Sequence, residues 1–98
     1  MTTKDTYRYL IGAYFGIEEM DEYSTKEYIL KEIKDYIEIF LRDNPPDFNL
    51  DEEKDDVEKN VTLYTKLHDA LIVLPKINAP IEIILLVKAR IQEMKKNM

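Results

Sequence analysis

The chain has 98 residues, of which 45% are hydrophobic and 35% are charged, and its net charge is -6. This length and composition predict a single folded domain over residues 1–98. The absence of cysteine excludes disulfides, thiol nucleophiles and thiolate metal sites, and one histidine cannot build a histidine-rich metal site within one chain. We therefore expect no cofactor and no metal.

The negative charge is unevenly distributed. Residues 1–43 carry 6 basic and 10 acidic side chains, residues 44–60 carry 2 and 7, and residues 61–98 carry 6 and 3. A concentrated negative segment repels the phosphates of nucleic acids and favours a basic protein partner, although acidity also serves solubility.

No segment is typical of a membrane or export signal. The longest uncharged apolar run, Ile83–Val87, is far shorter than the ~20 residues that span a bilayer. The N-terminal sequence MTTKDTYRYL lacks the basic region and apolar core of a signal peptide. We expect a cytoplasmic protein that does not contact membranes.

The first segment is predicted to be a helix over residues 5–20, capped by Thr3 or Asp5. Its apolar residues recur three and four positions apart, which places them on one face. Gly12 and Gly16 would leave one side of this helix nearly flat, so another backbone can approach closely. Each glycine also costs about 1 kcal/mol in a helix, so a strand in the same segment is the alternative.

A second helix is predicted over residues 25–42. Ser24 and Glu27 have the spacing of a capping box, in which each side chain satisfies a free backbone amide. Asn44 and the two prolines after it end the helix, because proline has no amide hydrogen and disfavours helical geometry in the residue before it.

The acidic segment that follows allows two interpretations. Five oxygen-bearing residues match positions 1, 3, 5, 9 and 12 of an EF-hand calcium loop: Asp47, Asn49, Asp51, Asp55 and Glu58. Position 6, where the loop needs glycine, is Glu52. The favoured interpretation is a helix start capped by Asn49 or Asp51, in which the early carboxylates face the positive end of the helix dipole.

The third helix is predicted over residues 51–74. Its apolar stripe follows a four-three pattern: Val57, Val61, Tyr64, Leu67 or His68, Leu71 and Leu74. His68 lies beside this stripe, and we expect a partly buried core or interface residue, because no nucleophile or orienting group is organised around it. We therefore expect no enzymatic activity.

The fourth helix is predicted over residues 79–96, after a turn that starts at Pro75. Asn78 is a candidate cap. The run Ile81–Val87 is apolar nearly all round, so it is either a buried helix or a strand, and the helical continuation after it favours the helix. The expected fold is an all-α antiparallel four-helix bundle, with an α+β fold as the alternative.

These features predict a small acidic, non-enzymatic protein–protein interaction module that binds a basic protein. Inhibitor and immunity-type proteins, including phage-encoded inhibitors, share this small acidic helical build at the level of architecture alone. The expected partner-binding residues are acidic side chains of the third helix and three tyrosines: Asp51, Glu52, Glu53, Asp55, Asp56, Glu58, Tyr9, Tyr23 and Tyr28.

The last helix is more apolar than one face of a bundle requires, which predicts a homodimer. The expected self-association residues are Ile83, Ile84, Leu86, Val87 and Ile91. The alternative function is an accessory DNA-binding regulator that uses the basic end of this helix: Lys88, Arg90, Lys95 and Lys96.

Overall fold

A computed structural model describes residues 1–21 and 25–97 of the chain, and within these ranges it contains helices and no strand. The α-helices are α1 Thr3–Glu19, α2 Lys26–Asp43, α3 Leu50–Asn60, α4 Leu63–Val73 and α5 Ile81–Lys96, with a 3-10 helix at Leu74–Ile77. The all-α class is confirmed, and both segments that had a strand as the alternative are helical. The bundle has five α-helices over the described residues, where four were predicted.

Helix α1 is the central element, because it packs against α2, α3 and most extensively α4. It starts one turn earlier than a cap at Asp5 would allow. Thr2 is the N-cap, and its hydroxyl accepts a hydrogen bond from the Asp5 backbone amide at 3.0 Å. The Asp5 carboxylate in turn accepts a hydrogen bond from the Thr2 backbone amide at 3.4 Å. The cap is therefore Thr2, in a capping box with Asp5, and the predicted cap at Thr3 or Asp5 is wrong.

The two glycines of α1 face α4. A Cβ on Gly16 would lie 2.9 Å from the Lys66 backbone, and a Cβ on Gly12 would collide with the Asp69 carboxylate. The predicted close approach of another backbone is confirmed, and α4 is the helix that makes it.

Helix α2 agrees with its prediction within one residue at each end. Its buried residues, Ile29, Ile33 and Ile37, are four positions apart and form one stripe. The predicted capping box depends on Ser24, which lies outside the described residues.

The prediction of one continuous third helix over residues 51–74 is wrong, because this segment forms two helices, α3 and α4. Val61 has extended backbone geometry, and Thr62 caps a new helix by accepting a hydrogen bond from the Thr65 amide at 3.2 Å. The buried residues of α4 are Lys66, Leu67, Ala70 and Val73. Of the predicted stripe, Val57, Leu67 and Leu74 are buried, whereas Val61, Tyr64 and Leu71 are partly buried. His68 is exposed instead of partly buried.

Helix α5 starts two residues later than predicted, with Pro80 at the N-cap position. Asn78 does not cap this helix. It adopts a left-handed conformation with φ 55° and ends the 3-10 helix, a geometry that asparagine tolerates better than most residues. Among the described residues, none of the helices combines the length and apolar character needed to cross a membrane.

Candidate functional site: the acidic face of α3 and the α1–α4 cleft

The acidic segment is a helix start. Asn49 is the N-cap of α3, and its side-chain oxygen accepts a hydrogen bond from the Glu52 amide at 3.0 Å. Residues that an EF-hand would hold in an irregular loop are helical here from Leu50 onward. Within residues 1–21 and 25–97, no group of three or more acidic, histidine or cysteine side chains is arranged to hold a metal ion.

Two acidic residues of α3 are paired with α1. Arg8 contacts Glu53 through Nη1 at 2.8 Å and Asp56 through Nη2 at 2.7 Å, and the Lys4 ammonium lies 3.6 Å from Glu53. Hydrogen bonds from Asn60 and Arg8 hold the pKa of Asp56 below its ordinary value, and both carboxylates raise the pKa of Arg8. Glu53 and Asp56 therefore join two helices of the bundle, so they are less available to a partner than the sequence predicted.

The other acidic residues of α3 face solvent. We call them the acidic face of α3: Asp51, Glu52, Asp55 and Glu58. None of the described lysine, arginine or histidine side chains lies within 4.0 Å of these carboxylates. Three of them follow a four-three spacing and so form one row, with two exposed lysines beside it at positions 54 and 59.

The predicted tyrosines do not gather at this face. Tyr9 is half-buried on α1, where it lines the cleft described next. Tyr28 is 59% exposed on α2, and Tyr23 lies outside the described residues. These tyrosines were predicted to bind a partner because of their residue type alone. The structure places Tyr9 on α1 and Tyr28 on α2.

A cleft of about 220 Å³ lies between α1, the C-terminal part of α3 and α4. We call it the α1–α4 cleft, and its lining residues are Asp5, Arg8, Tyr9, Val57, Val61, Thr65 and Asp69. Burial raises the pKa of the Asp69 carboxyl to about 6. Within the part of the chain that the structure describes, Asp69 has no ion pair and accepts no hydrogen bond from another side chain.

Sequence reasoning missed Asp69. The sequence offered indirect evidence only. Gly12 predicted that another helix could approach α1 closely, but it did not predict which side chain would lie against it. In the structure, the Asp69 carboxylate of α4 lies against Gly12.

A second cleft, of about 260 Å³, lies between α1, α2 and α3. Its floor is mostly apolar and its rim carries charged side chains: the lining residues are Tyr7, Ile11, Tyr14, Lys34, Ile37, Glu38 and Lys54. Burial, followed by the negative charges of Asp51 and Glu53, raises the pKa of Tyr7.

Helix α5 divides the predicted self-association residues between two faces. Ile83, Val87 and Ile91 are buried in the core of the same chain, so they cannot form an outer contact surface. Leu86 is 45% exposed and Ile84 is partly buried. The outer apolar surface also includes two residues that the sequence did not single out, Ile81 at 59% and Leu85 at 54% exposed.

Lys66 is the one buried charged residue in the described chain. Its ammonium donates a hydrogen bond to the Glu58 carbonyl at 3.0 Å, lies 3.5 Å from a carboxylate oxygen of Glu19 and sits 5.7 Å from the centre of the Phe15 ring. These contacts connect α4 to the C-terminal ends of α1 and α3, which indicates a structural role.

His68 is exposed and lies beside Tyr64, with the two ring centres 4.6 Å apart and the ring planes at 66°. This contact is an ordinary aromatic pair on one helix face. It adds no group of the kind that would orient a histidine for proton transfer.

Comparison with known proteins identifies no relative. No protein-family model, no curated protein and no solved structure matches the chain. The features that bear on function are therefore the acidic face, the clefts and α5.

Proposed function

We propose that this chain is a non-enzymatic protein-binding module that holds a basic protein partner against the acidic face of α3. The supporting observation is the division of charge on α3. Glu53 and Asp56 are neutralised by α1, whereas Asp51, Asp55 and Glu58 stand in one solvent-facing row with no described cation within 4.0 Å.

Such a row has a physical consequence. Like charges at three- and four-residue spacing on a helix destabilise it by a few tenths of a kcal/mol per pair, and the neighbouring Lys54 and Lys59 offset part of this repulsion. A basic partner relieves this repulsion and gains speed of association, because complementary charge steers two proteins together. The proposed role is therefore favoured by the same charges that oppose binding to nucleic acid.

The kind of module is proposed by analogy of architecture. A small acidic helical protein that acts in the cytoplasm as an inhibitor or immunity-type protein can mask the basic surface of a toxin or nuclease. The acidic face provides the charge that this role requires.

The test compares two charge reversals of equal size. The first variant carries Asp51→Lys, Asp55→Lys and Glu58→Lys. The matched control reverses three exposed acids elsewhere: Glu18→Lys, Glu27→Lys and Asp43→Lys. Both variants change net charge equally, so they separate a local surface from the overall charge.

Each variant is used as bait in quantitative affinity capture from the source cells. We expect one basic protein to be retained by the wild type and by the control, lost with the α3 variant, and released by salt. Equal retention by both variants, or no protein above background, would contradict the proposed function.

We also propose that two copies associate through the outer surface of α5. The supporting observation is the cluster of exposed apolar side chains Ile81, Leu85 and Leu86 on a helix that packs mainly on α4. Sedimentation at micromolar concentration should show a dimer for the wild type and a monomer for Leu85→Glu. A wild-type monomer would remove this proposal and leave the acidic face unaffected.

The alternative function is DNA binding through α5, where Lys88, Lys95 and Lys96 are exposed. Two of these lysines are seven residues apart and so share a face. A mobility shift at low salt that is lost with Lys88→Glu and Lys95→Glu would support it, and no shift at low salt would exclude it.

A further inference from the structure

Asp69 occupies a position where a carboxylate is costly. Its carboxylate lies against Gly12, at the interface of two packed helices, and burial disfavours its charged form. A buried charge is normally paired or hydrogen-bonded. Among the described residues, no basic side chain lies within 4.0 Å of Asp69.

Arg8 lines the same cleft, but its guanidinium is already paired with other carboxylates. Its two terminal nitrogens contact Glu53 and Asp56 at 2.8 and 2.7 Å. Moving Arg8 toward Asp69 would break two charge-assisted contacts to form one. Among the residues that the structure describes, no cation pairs with the Asp69 carboxylate, which faces the cleft.

The other walls fit an elongated cation. Val61 and the ring of Tyr9 provide apolar surface for an aliphatic stem, and an aromatic ring also attracts a positive charge. Thr65, one helical turn before Asp69, adds a hydroxyl that can accept a hydrogen bond from an ammonium. Asp5 adds a second carboxylate to the lining.

We propose that the α1–α4 cleft binds an alkylammonium or alkylguanidinium group, with Asp69 pairing to the cationic head and Tyr9 and Val61 packing against the stem. The volume of about 220 Å³ suits one such group and not a large ligand. This inference stands independently of the acidic face of α3, because it concerns a separate cleft and is tested with small molecules.

Two sources can supply this chemistry: a lysine or arginine side chain of a basic protein, or a free amine such as a polyamine. The probes are therefore N-acetyl-lysine N-methylamide, N-acetyl-arginine N-methylamide and putrescine. N-acetyl-norleucine N-methylamide is the neutral control, because it keeps the apolar stem and lacks the cation.

Binding is followed by backbone amide chemical shifts of the labelled full chain. We expect saturable shifts around residues 9, 61, 65 and 69 with a Kd on the order of millimolar, and at least tenfold weaker binding by Asp69→Asn. Asp47→Asn, an exposed acid outside the cleft, should bind as the wild type does. Tighter binding of the amino-acid derivatives would identify a protein side chain as the ligand, and tighter binding of putrescine a free amine.

The pH dependence provides an independent readout. Affinity should fall about tenfold per pH unit below about 6, as Asp69 becomes protonated. The other charged and titratable groups of the cleft, Asp5, Arg8 and Tyr9, remain in Asp69→Asn, so the difference between the two proteins isolates Asp69. Equal shifts with the norleucine control, unchanged binding in Asp69→Asn, or no saturable shift would each overturn the proposal.

Discussion

At the residue scale, the protein contains two charged side chains in unusual places, and their environments differ. Lys66 is buried, but its ammonium contacts a carbonyl, a carboxylate and an aromatic ring. Asp69, three positions later, has no described ionic partner. The difference implies that Lys66 stabilises the fold, whereas the ionised Asp69 destabilises it. A destabilising carboxylate in a cleft indicates a role in function.

Asp69→Asn should stabilise the protein at neutral pH. The folded pKa is about 6 and the unfolded pKa is about 3.9, so the folded state binds the proton more tightly. The penalty of the charged form is absent below about pH 4, grows as pH rises toward 6, and is complete above 6.

The measurement is denaturant unfolding of wild type and Asp69→Asn at pH 4 and pH 7.5. We expect equal stability at pH 4 and a gain of about 1 to 2 kcal/mol for the variant at pH 7.5, a value reduced to allow for the partial exposure of the side chain. Destabilisation at pH 7.5 would mean that the ionised carboxylate has a favourable partner.

Replacing Lys66, in contrast, is expected to lower the free energy of unfolding. Lys66→Met keeps the buried stem but leaves the Glu58 carbonyl without its donor, which should cost about 1 kcal/mol. Lys66→Ala also removes the packed methylenes and should cost about 2 to 3 kcal/mol in the same unfolding experiment. A methionine variant as stable as the wild type would show that only the stem contributes.

At the element scale, helix α1 shows what sequence could and could not establish. The spacing of Gly12 and Gly16 was enough to predict a close helix contact, because small residues four positions apart let another backbone approach that side of the helix. It could not identify the partner helix. The structure shows that the partner is α4, which begins after an interruption at Val61, where the apolar period continues in the sequence although the helix does not.

The two glycines should differ when each is replaced by alanine. Gly16→Ala places a methyl group 2.9 Å from the Lys66 backbone, so the helices must separate, and we expect a net loss of about 1 to 2 kcal/mol after the gain in helix propensity. Gly12→Ala meets a side chain that can rotate, so its stability should stay within about 0.5 kcal/mol of the wild type. Thermal unfolding monitored by circular dichroism compares them directly, and equal losses would contradict the described packing.

The interruption between α3 and α4 had a local signal that the stripe concealed. Asn60 and Thr62 are both typical of helix ends, and Thr62 does cap α4. The four-three stripe outweighed them because Val57, Val61 and Tyr64 fit one uninterrupted helix equally well. Tertiary packing decides between one continuous helix and two separate helices. Lys66 contributes to the second arrangement by donating a hydrogen bond to the backbone carbonyl of Glu58, near the C-terminal end of α3.

At the scale of the whole molecule, composition and periodicity were sufficient for the all-α fold. They were less informative about surfaces, because a list of acidic residues does not show which ones face inward. The ion pairs of Glu53 and Asp56 with Arg8 depend on α1 lying beside α3, a contact between residues 45 and 48 positions apart in the chain. The exposed residues of α5 could not be predicted for the same reason. Because Ile81–Val87 is apolar nearly all round, the sequence does not show which side of the helix packs on the core, and so did not predict that Leu85 is exposed.

A basic protein docked on the acidic face of α3 should shield that helix from solvent. The decisive measurement is hydrogen–deuterium exchange of the chain, alone and bound to its captured partner. We predict that binding slows exchange in residues 50–60 and leaves the rate in α2 unchanged, and that raising the salt concentration reverses the protection. Protection confined to α2 or α5, with residues 50–60 exchanging as in the free protein, would show that the partner does not dock on α3.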